Sequence, residues 1–411
     1  MTETPHAALA GYAHRLHAAV GDRHHVASPL GAWLLLALSA PAATGADRDE
    51  LAGLLGVDVP TATRLATTLL DDPHPLVASA TAVWHRPGYD TDGWRDWRAT
   101  LPRATGTGAL PKQPELDAWA REHSLGLVDR FPLRLEPGTL FVLADALATR
   151  VSWAQPFQVA PAAALGAGSA WAKRLTRALR TPRHGHRGWI VSTRRAGDVV
   201  VHAAPARSTG TAGLTVVSVA AAPGVAPPEV LATAYELGVA AVTDAGPAGA
   251  RSLFDLPLGH SPLWTLREEP VRTHAPGGRE ERHEAVLPCW SATDSHDLAV
   301  DGLGFTTAAR ALGALLSTPA PQVAARQAAA ARYSRYGFEA AAVTAMMATV
   351  SLPPEGVART AELRFGHPYA VVAVTTDHRP DGPGPWHGLP VFSAWVTEPE
   401  DVPEADAADP A

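Results

Sequence analysis

From Ala340 to Val350 the chain has eleven residues without a charge, a proline or a glycine, and Pro353-Pro354 follows closely. On propensity alone this stretch is a helix. It has no polar helical face, however, and it contains the β-branched residues Val343, Thr344, Thr349 and Val350. As a strand it alternates, with Phe338, Ala340, Ala342, Thr344, Met346 and Ala348 on one face. Glu339, Ala341, Val343, Ala345, Met347 and Thr349 lie on the other. Small side chains on one face let such a strand slip between two others without clashes. The two prolines then exclude both helix and central strand. The segment can therefore be a loop whose first half is competent to become a strand, with the helix as the competing reading.

The rest of the chain sets the frame for that loop. Its 411 residues are enough for one large domain or two to three ordinary ones. Residues 1–399 read as one folded unit and 400–411 as an acidic, disordered tail. Helical spacing predicts helices over 5–20, 29–39, 47–56, 61–71, 114–131 and near 306–316. Strands are predicted over 76–84, 139–152, 369–375 and 390–396, with paired strands across 187–222. Helices come first and strands mixed with helices follow, without βαβ alternation, so the fold class is α+β.

Composition excludes several functions. The charge balance, 34 basic against 41 acidic residues, gives −7, which argues against a nucleic acid or a membrane surface as partner. The single cysteine, Cys289, excludes a disulfide framework and a thiolate metal cluster, and beside Pro288 in an apparent strand it reads as a buried inert thiol. No nucleophile elbow, phosphate loop or metal-protease motif is present. The 18 histidines, with His24-His25 and His184/His186 the densest groups, lack metal-ligand spacing and read as surface residues. No catalytic residue, metal or cofactor is expected. Residues 32–43 have the shape of a signal-peptide core and cleavage site, but Ser28-Pro29 opens the run as an N-cap and first-turn proline. The run is therefore expected to be a buried helix, and the chain to be cytoplasmic.

Gly337-Phe338-Glu339-Ala340-Ala341-Ala342-Val343-Thr344-Ala345 resembles the hinge of the serpins, usually Gly-Thr-Glu-Ala-Ala-Ala-Ala-Thr-Ala. Further pieces resemble the family in order along the chain. They are Ser28-Pro29-Leu30, Trp153 with Pro156-Phe157, Leu287-Pro288, Phe365-Gly366-His367-Pro368-Tyr369, and Pro390-Val391-Phe392. The resemblance implies three β-sheets surrounded by helices, with an exposed reactive loop over about 337–364. It implies a monomeric suicide inhibitor of serine proteases, whose cleaved hinge inserts into the central sheet. The alternative is a non-inhibitory serpin-fold binding or structural module. The same analogy leaves an extracellular location as the alternative to a cytoplasmic one.

Counting fourteen positions from Gly337 in the family register puts the scissile bond at Ser351–Leu352, with Val350–Ser351 and Met347–Ala348 as alternatives. No Arg or Lys lies between Tyr336 and Arg359, so an elastase-like or subtilisin-like protease is expected. Arg64 is the lone cation on the 61–71 helix, so no heparin-type cofactor is expected.

Carried over by position, the region where the central strands part comprises Ser28, Asp145, Trp153 and Gln327. Five residues depart from the family's usual choice. Phe338 stands for a small Thr or Ser, His24 for Asn, Gly31 for Ser, Asp145 for Asn and Gln327 for His. Asp145 and Gln327 are expected to hydrogen-bond in place of the Asn–His pair. A benzyl group at 338 is expected to slow insertion through overpacking.

Overall fold

The computed structural model describes residues 5–89, 91–243, 245–317, 324–337 and 353–407. Helices are α1 (Pro5–Val20), α2 (Pro29–Ser39), α3 (Gly45–Leu55), α4 (Val59–Asp71), α5 (Asp92–Ala99), α6 (Gln113–His123), α7 (Pro227–Ala241), α8 (Phe305–Leu315) and α9 (Glu404–Ala407). Strands are β1 (His25–Ala27), β2 (Ala78–His85), β3 (Gly106–Ala109), β4 (Phe141–Ala148), β5 (Gln158–Pro161), β6 (Arg177–Arg180), β7 (Arg187–Thr193), β8 (Gly197–Pro205) and β9 (Ala212–Ala221). They continue as β10 (Gly259–His260), β11 (Trp264–Arg272), β12 (Arg279–Leu287), β13 (Trp290–Asp297), β14 (Arg326–Tyr333), β15 (Glu355–Arg364), β16 (Tyr369–Arg379), β17 (Gly382–Pro383) and β18 (Pro390–Val396).

The valine-rich strands β8, β9 and β16 are buried on both faces and form the middle of a seven-stranded sheet, β1-β18-β16-β9-β8-β7 with β17 on β16. A six-stranded sheet runs β10-β11-β15-β12-β6-β5. Two smaller groups, β3-β2-β4 and β13-β14, complete the strands, and among the described residues nothing joins β4 to β14.

Helix α2 buries every residue except Leu35, as its apolar run predicts, and Ser28 caps it by accepting from the Gly31 N–H at 3.3 Å. It packs against β4, β18 and α8, beneath the gap between the two smaller sheets.

Three expectations need correction. The amphipathic helix predicted over 114–131 ends at His123, because Leu125 (φ +56°) and Gly126 (φ +73°) leave the helical region. The strand predicted over 139–152 stops at Ala148. The tail is not disordered through 400–407. The Asp401 carboxylate accepts from the Thr176 and Arg177 N–H groups, Val402 is buried, and Glu400 bridges to Cys289.

Candidate functional site

Strand β4 pairs with β2 along one edge, with Asp145 opposite Thr81. Strand β14 pairs with β13 along one edge, with Gln327 opposite His296. The facing edges of β4 and β14 have no described strand between them. Ala144, Ala146 and Ala148 on one side and Ala328 to Ala331 on the other keep the walls low.

Two cavities follow each other along this slot. The lower one, about 450 Å³, is lined by β4 from Phe141 to Leu147 and by residues 324–328. The upper one, about 350 Å³, is lined by Thr149, Val151 and Trp153 and by Ala330 to Tyr333. Both strands therefore ascend the slot in the same direction, with Gly337 at its upper end.

Gly337 is held at φ +80°, and a methyl group on it would lie 2.5 Å from the Val151 carbonyl oxygen. Only glycine meets both constraints. The Trp153 N–H donates to the Tyr336 carbonyl at 3.1 Å and its indole Nε1–H to the Ser334 carbonyl at 2.9 Å. Its buried ring lies against Phe157 and Tyr333, with centroids 5.9 and 5.1 Å away. Arg335 fastens the same turn. Its Nε donates to the Phe157 carbonyl and its terminal nitrogen to the Asp406 carbonyl in α9. Trp153 and Gly337 are thus neighbours at the upper end of the slot.

At the lower end Gln327 reads the backbone of Ser28 twice. Its Oε1 accepts from the Ser28 N–H at 2.9 Å and its Nε2 donates to the Ser28 carbonyl at 2.8 Å. The Ser28 hydroxyl donates to the Val391 carbonyl. With both ends of its amide committed, Gln327 does not bond Asp145, and the expected pair is not formed. Asp145 is half-buried, and its Oδ1 is enclosed and has no partner among the described residues. Burial pushes its pKa up to about 7. The other oxygen occupies the space above Gly31, where a Cβ would come within 2.4 Å of it. The Gly31 and Asp145 departures therefore fit each other sterically.

The stretch expected as loop over about 337–364 is not loop throughout. Residues 355–364 form β15, paired with β11 on one side and β12 on the other, and the Pro354 carbonyl accepts from Thr273. Arg359 is bonded to Glu268 of the neighbouring strand β11 and to the carbonyls of Leu253 and Leu256 beside the sheet. The remaining hinge residues, Phe338 to Ala345, and the proposed cleavage positions Val350, Ser351 and Leu352 lie outside the described residues.

Sequence reading missed the buried histidines. His25 and His202 are fully enclosed, and His17 and His296 nearly so, so they are not surface residues. His17 Nδ1 meets His25 Nε2 at 2.7 Å, and its Nε2 meets the Ser393 hydroxyl, which also contacts the Tyr235 hydroxyl. His296 Nε2 donates to the Val26 carbonyl. His186 and His202 meet at 3.1 Å beside Phe157. The available signal was a polar residue inside an apolar strand, as in Val199-Val200-Val201-His202-Ala203. Cys289 is buried, and its thiol pKa is pushed up to about 12, chiefly by burial. No described helix is long and apolar enough to cross a membrane.

No family model matches the chain, and no curated protein does. Solved structures do. The thermophilic serpin tengpin in its native state is 12% identical, with a TM-score of 0.63 over 97% of this chain and 95% of that one. Serpin48 from the insect Tenebrio molitor is 15% identical, with a TM-score of 0.57 over 96% and 98%. Human thyroxine-binding globulin complexed with thyroxine is 12% identical, with a TM-score of 0.57 over 96% and 98%. The α+β architecture built here from its strands and helices is the serpin fold.

Proposed function

We propose that this chain traps a serine protease by cleavage at Ser351–Leu352 and insertion of the freed segment from Phe338 onward into the slot between β4 and β14. The observation that supports this reading is the slot itself. Two strand edges without a described partner run in the same direction, with a constrained glycine at their upper end, and the segment after it has strand-compatible small residues. Twelve inserted residues would span ~40 Å. Each ladder bond adds about 1 kcal/mol net, so the uncleaved form is held kinetically. The lack of a cation between Tyr336 and Arg359 favours a protease with a small or apolar specificity pocket. Arg359 itself is locked in β15.

The test is incubation with pancreatic elastase and with subtilisin. A complex that survives denaturant, with a released peptide beginning at Leu352 by mass spectrometry, is expected. A stable complex after a first cut at Arg359 would overturn it.

A second reading, a serpin-fold protein that binds and does not inhibit, is favoured by the unpartnered carboxyl of Asp145 in the lower cavity.

A further inference from the structure

The lower cavity, about 450 Å³, falls in the size range of small-molecule sites. Its walls are apolar and partly aromatic, with Leu35, Phe131, Leu133, Leu143, Phe305 and Leu312 among them. The neutral polar side chains of its lining are mostly spoken for. Ser28 and Gln327 are bonded as described, Ser39 donates to the Leu35 carbonyl, and Ser124 and Thr139 accept from the Val128 and Glu136 N–H groups. Asp145 differs. Among the described residues its Oδ1 is buried without a partner, and the residue lines the cavity. A buried carboxyl without a donor is costly in either protonation state, and most costly when ionised.

We propose that this cavity is a binding site for a small apolar molecule bearing one primary amine, with its ammonium seated on the Asp145 carboxylate and its apolar body among the leucines and phenylalanines. A charge-assisted N–H···O bond in an enclosed site is about twice as strong as a neutral one, so the amine outcompetes the matching alcohol. A matching carboxylic acid would place like charges together and is rejected. The proposal deepens the second reading above and does not require loop insertion. If the loop does insert, ligand and strand compete for the lower half of one slot.

The charged groups facing the cavity besides Asp145 are Arg134, Glu136 and Arg326, all exposed at its rim, and no histidine lines it. Amine affinity should therefore follow ionisation of Asp145, strong at pH 8 and weaker at pH 5.5.

The experiment is calorimetry and thermal melting of the full chain with 3,3-diphenylpropylamine, the matching alcohol and the matching carboxylate. The amine is expected to bind at least tenfold more tightly than the alcohol at pH 8 and to raise the melting temperature, with no saturable binding of the carboxylate. Asp145→Asn, isosteric and free of the buried charge, should bring the amine down to the alcohol's level and flatten the pH dependence. Equal binding of amine and alcohol by the unaltered protein, undiminished amine binding by the variant, or no binding of any of the three overturns the proposal. Protease trapping is read separately on a denaturing gel, so failure of that function and failure of this site are distinguishable.

Discussion

The α-carbon of Gly337 packs against the backbone of Val151, so closely that a β-carbon would meet the Val151 carbonyl oxygen at 2.5 Å and the Ser152 α-carbon at 3.0 Å. This contact joins the end of β14 to the segment leaving β4 at the upper end of the slot. Neither partner is a flexible side chain, so the clash has no inexpensive relief. Gly337→Ala should lower the stability of the intact protein by roughly 1–3 kcal/mol, combining the positive-φ cost with displaced backbone. Because Trp153 donates its N–H to Tyr336, the residue before Gly337, tryptophan emission should shift as well. An unchanged melting temperature and spectrum would mean the contact is not kept in solution.

A second prediction concerns Phe338. The sequence predicts obstruction by overpacking. Gly31 offers no room for the ring, since the Asp145 carboxyl fills the space above it. The 350 Å³ upper cavity, lined by Gly337, Val151, Tyr333 and Phe392, lies beside the residue preceding Phe338. It is large enough for a benzyl group, which favours accommodation over obstruction. Under the proposed insertion, Phe338→Thr should leave the intact melting temperature within a degree or so of its original value. It should reduce the extra stability gained on loop cleavage by about 1–3 kcal/mol, the scale of a partly filled void. Faster trapping with an undiminished cleaved-form melting temperature would show that the ring is an obstacle after all.

Much of the fold was legible because it is written in local periodicity. The buried run of α2, the proline that opens it and the αL cap at Gly56 are local features. So are the valine-rich alternations of β8, β9 and β16. What local pattern does not encode is long-range pairing. Nothing in Phe141–Ala148 or Arg326–Tyr333 announces that their facing edges lie apart, or that Gln327 spends its amide on Ser28 and leaves Asp145 alone. The acidic tail misled for a related reason. Glu400 and Asp401 look solvated in sequence, yet in the fold Asp401 supplies acceptors to the N–H groups of Thr176 and Arg177 at the start of β6.

A third prediction follows from the isolation of Asp145. Its folded pKa, about 7, lies above the unfolded value near 4. The native state therefore binds this proton more tightly than the unfolded chain does. Stability is lost from this group as pH rises from about 4 through 7, with a penalty of about 2–4 kcal/mol once it is ionised. Asp145→Asn removes the titration and should stabilise the protein at pH 8 while changing little at pH 4. Denaturant unfolding at both pH values checks the sign. A variant less stable than the parent at pH 8 would show that Asp145 has a donor in solution.

The buried histidines titrate in the opposite sense. His17, His25 and His296 link α1, β1 and β13, and Ser393 ties His17 to β18. Burial lowers the pKa of all three, that of His25 to about 4, and the histidines oppose one another's protonation. Asp294 and Arg23 face the cluster with opposite charges, and Asp294 is itself paired with Arg23, so the site gains little net stabilisation for added protons. The unfolded histidines bind protons near 6.5 and the folded ones do so only at lower pH. Their contribution is fully present above about 6.5 and falls away as pH drops toward 4. Cooperative acid unfolding should therefore begin between pH 6 and 4, before most carboxylates are protonated. His25→Gln has no charge to acquire. It should cost stability at pH 8, where the hydrogen bond to His17 is lost, yet flatten the decline between pH 6.5 and 4. A variant that keeps the parent's acid slope would move the origin of that slope away from this cluster.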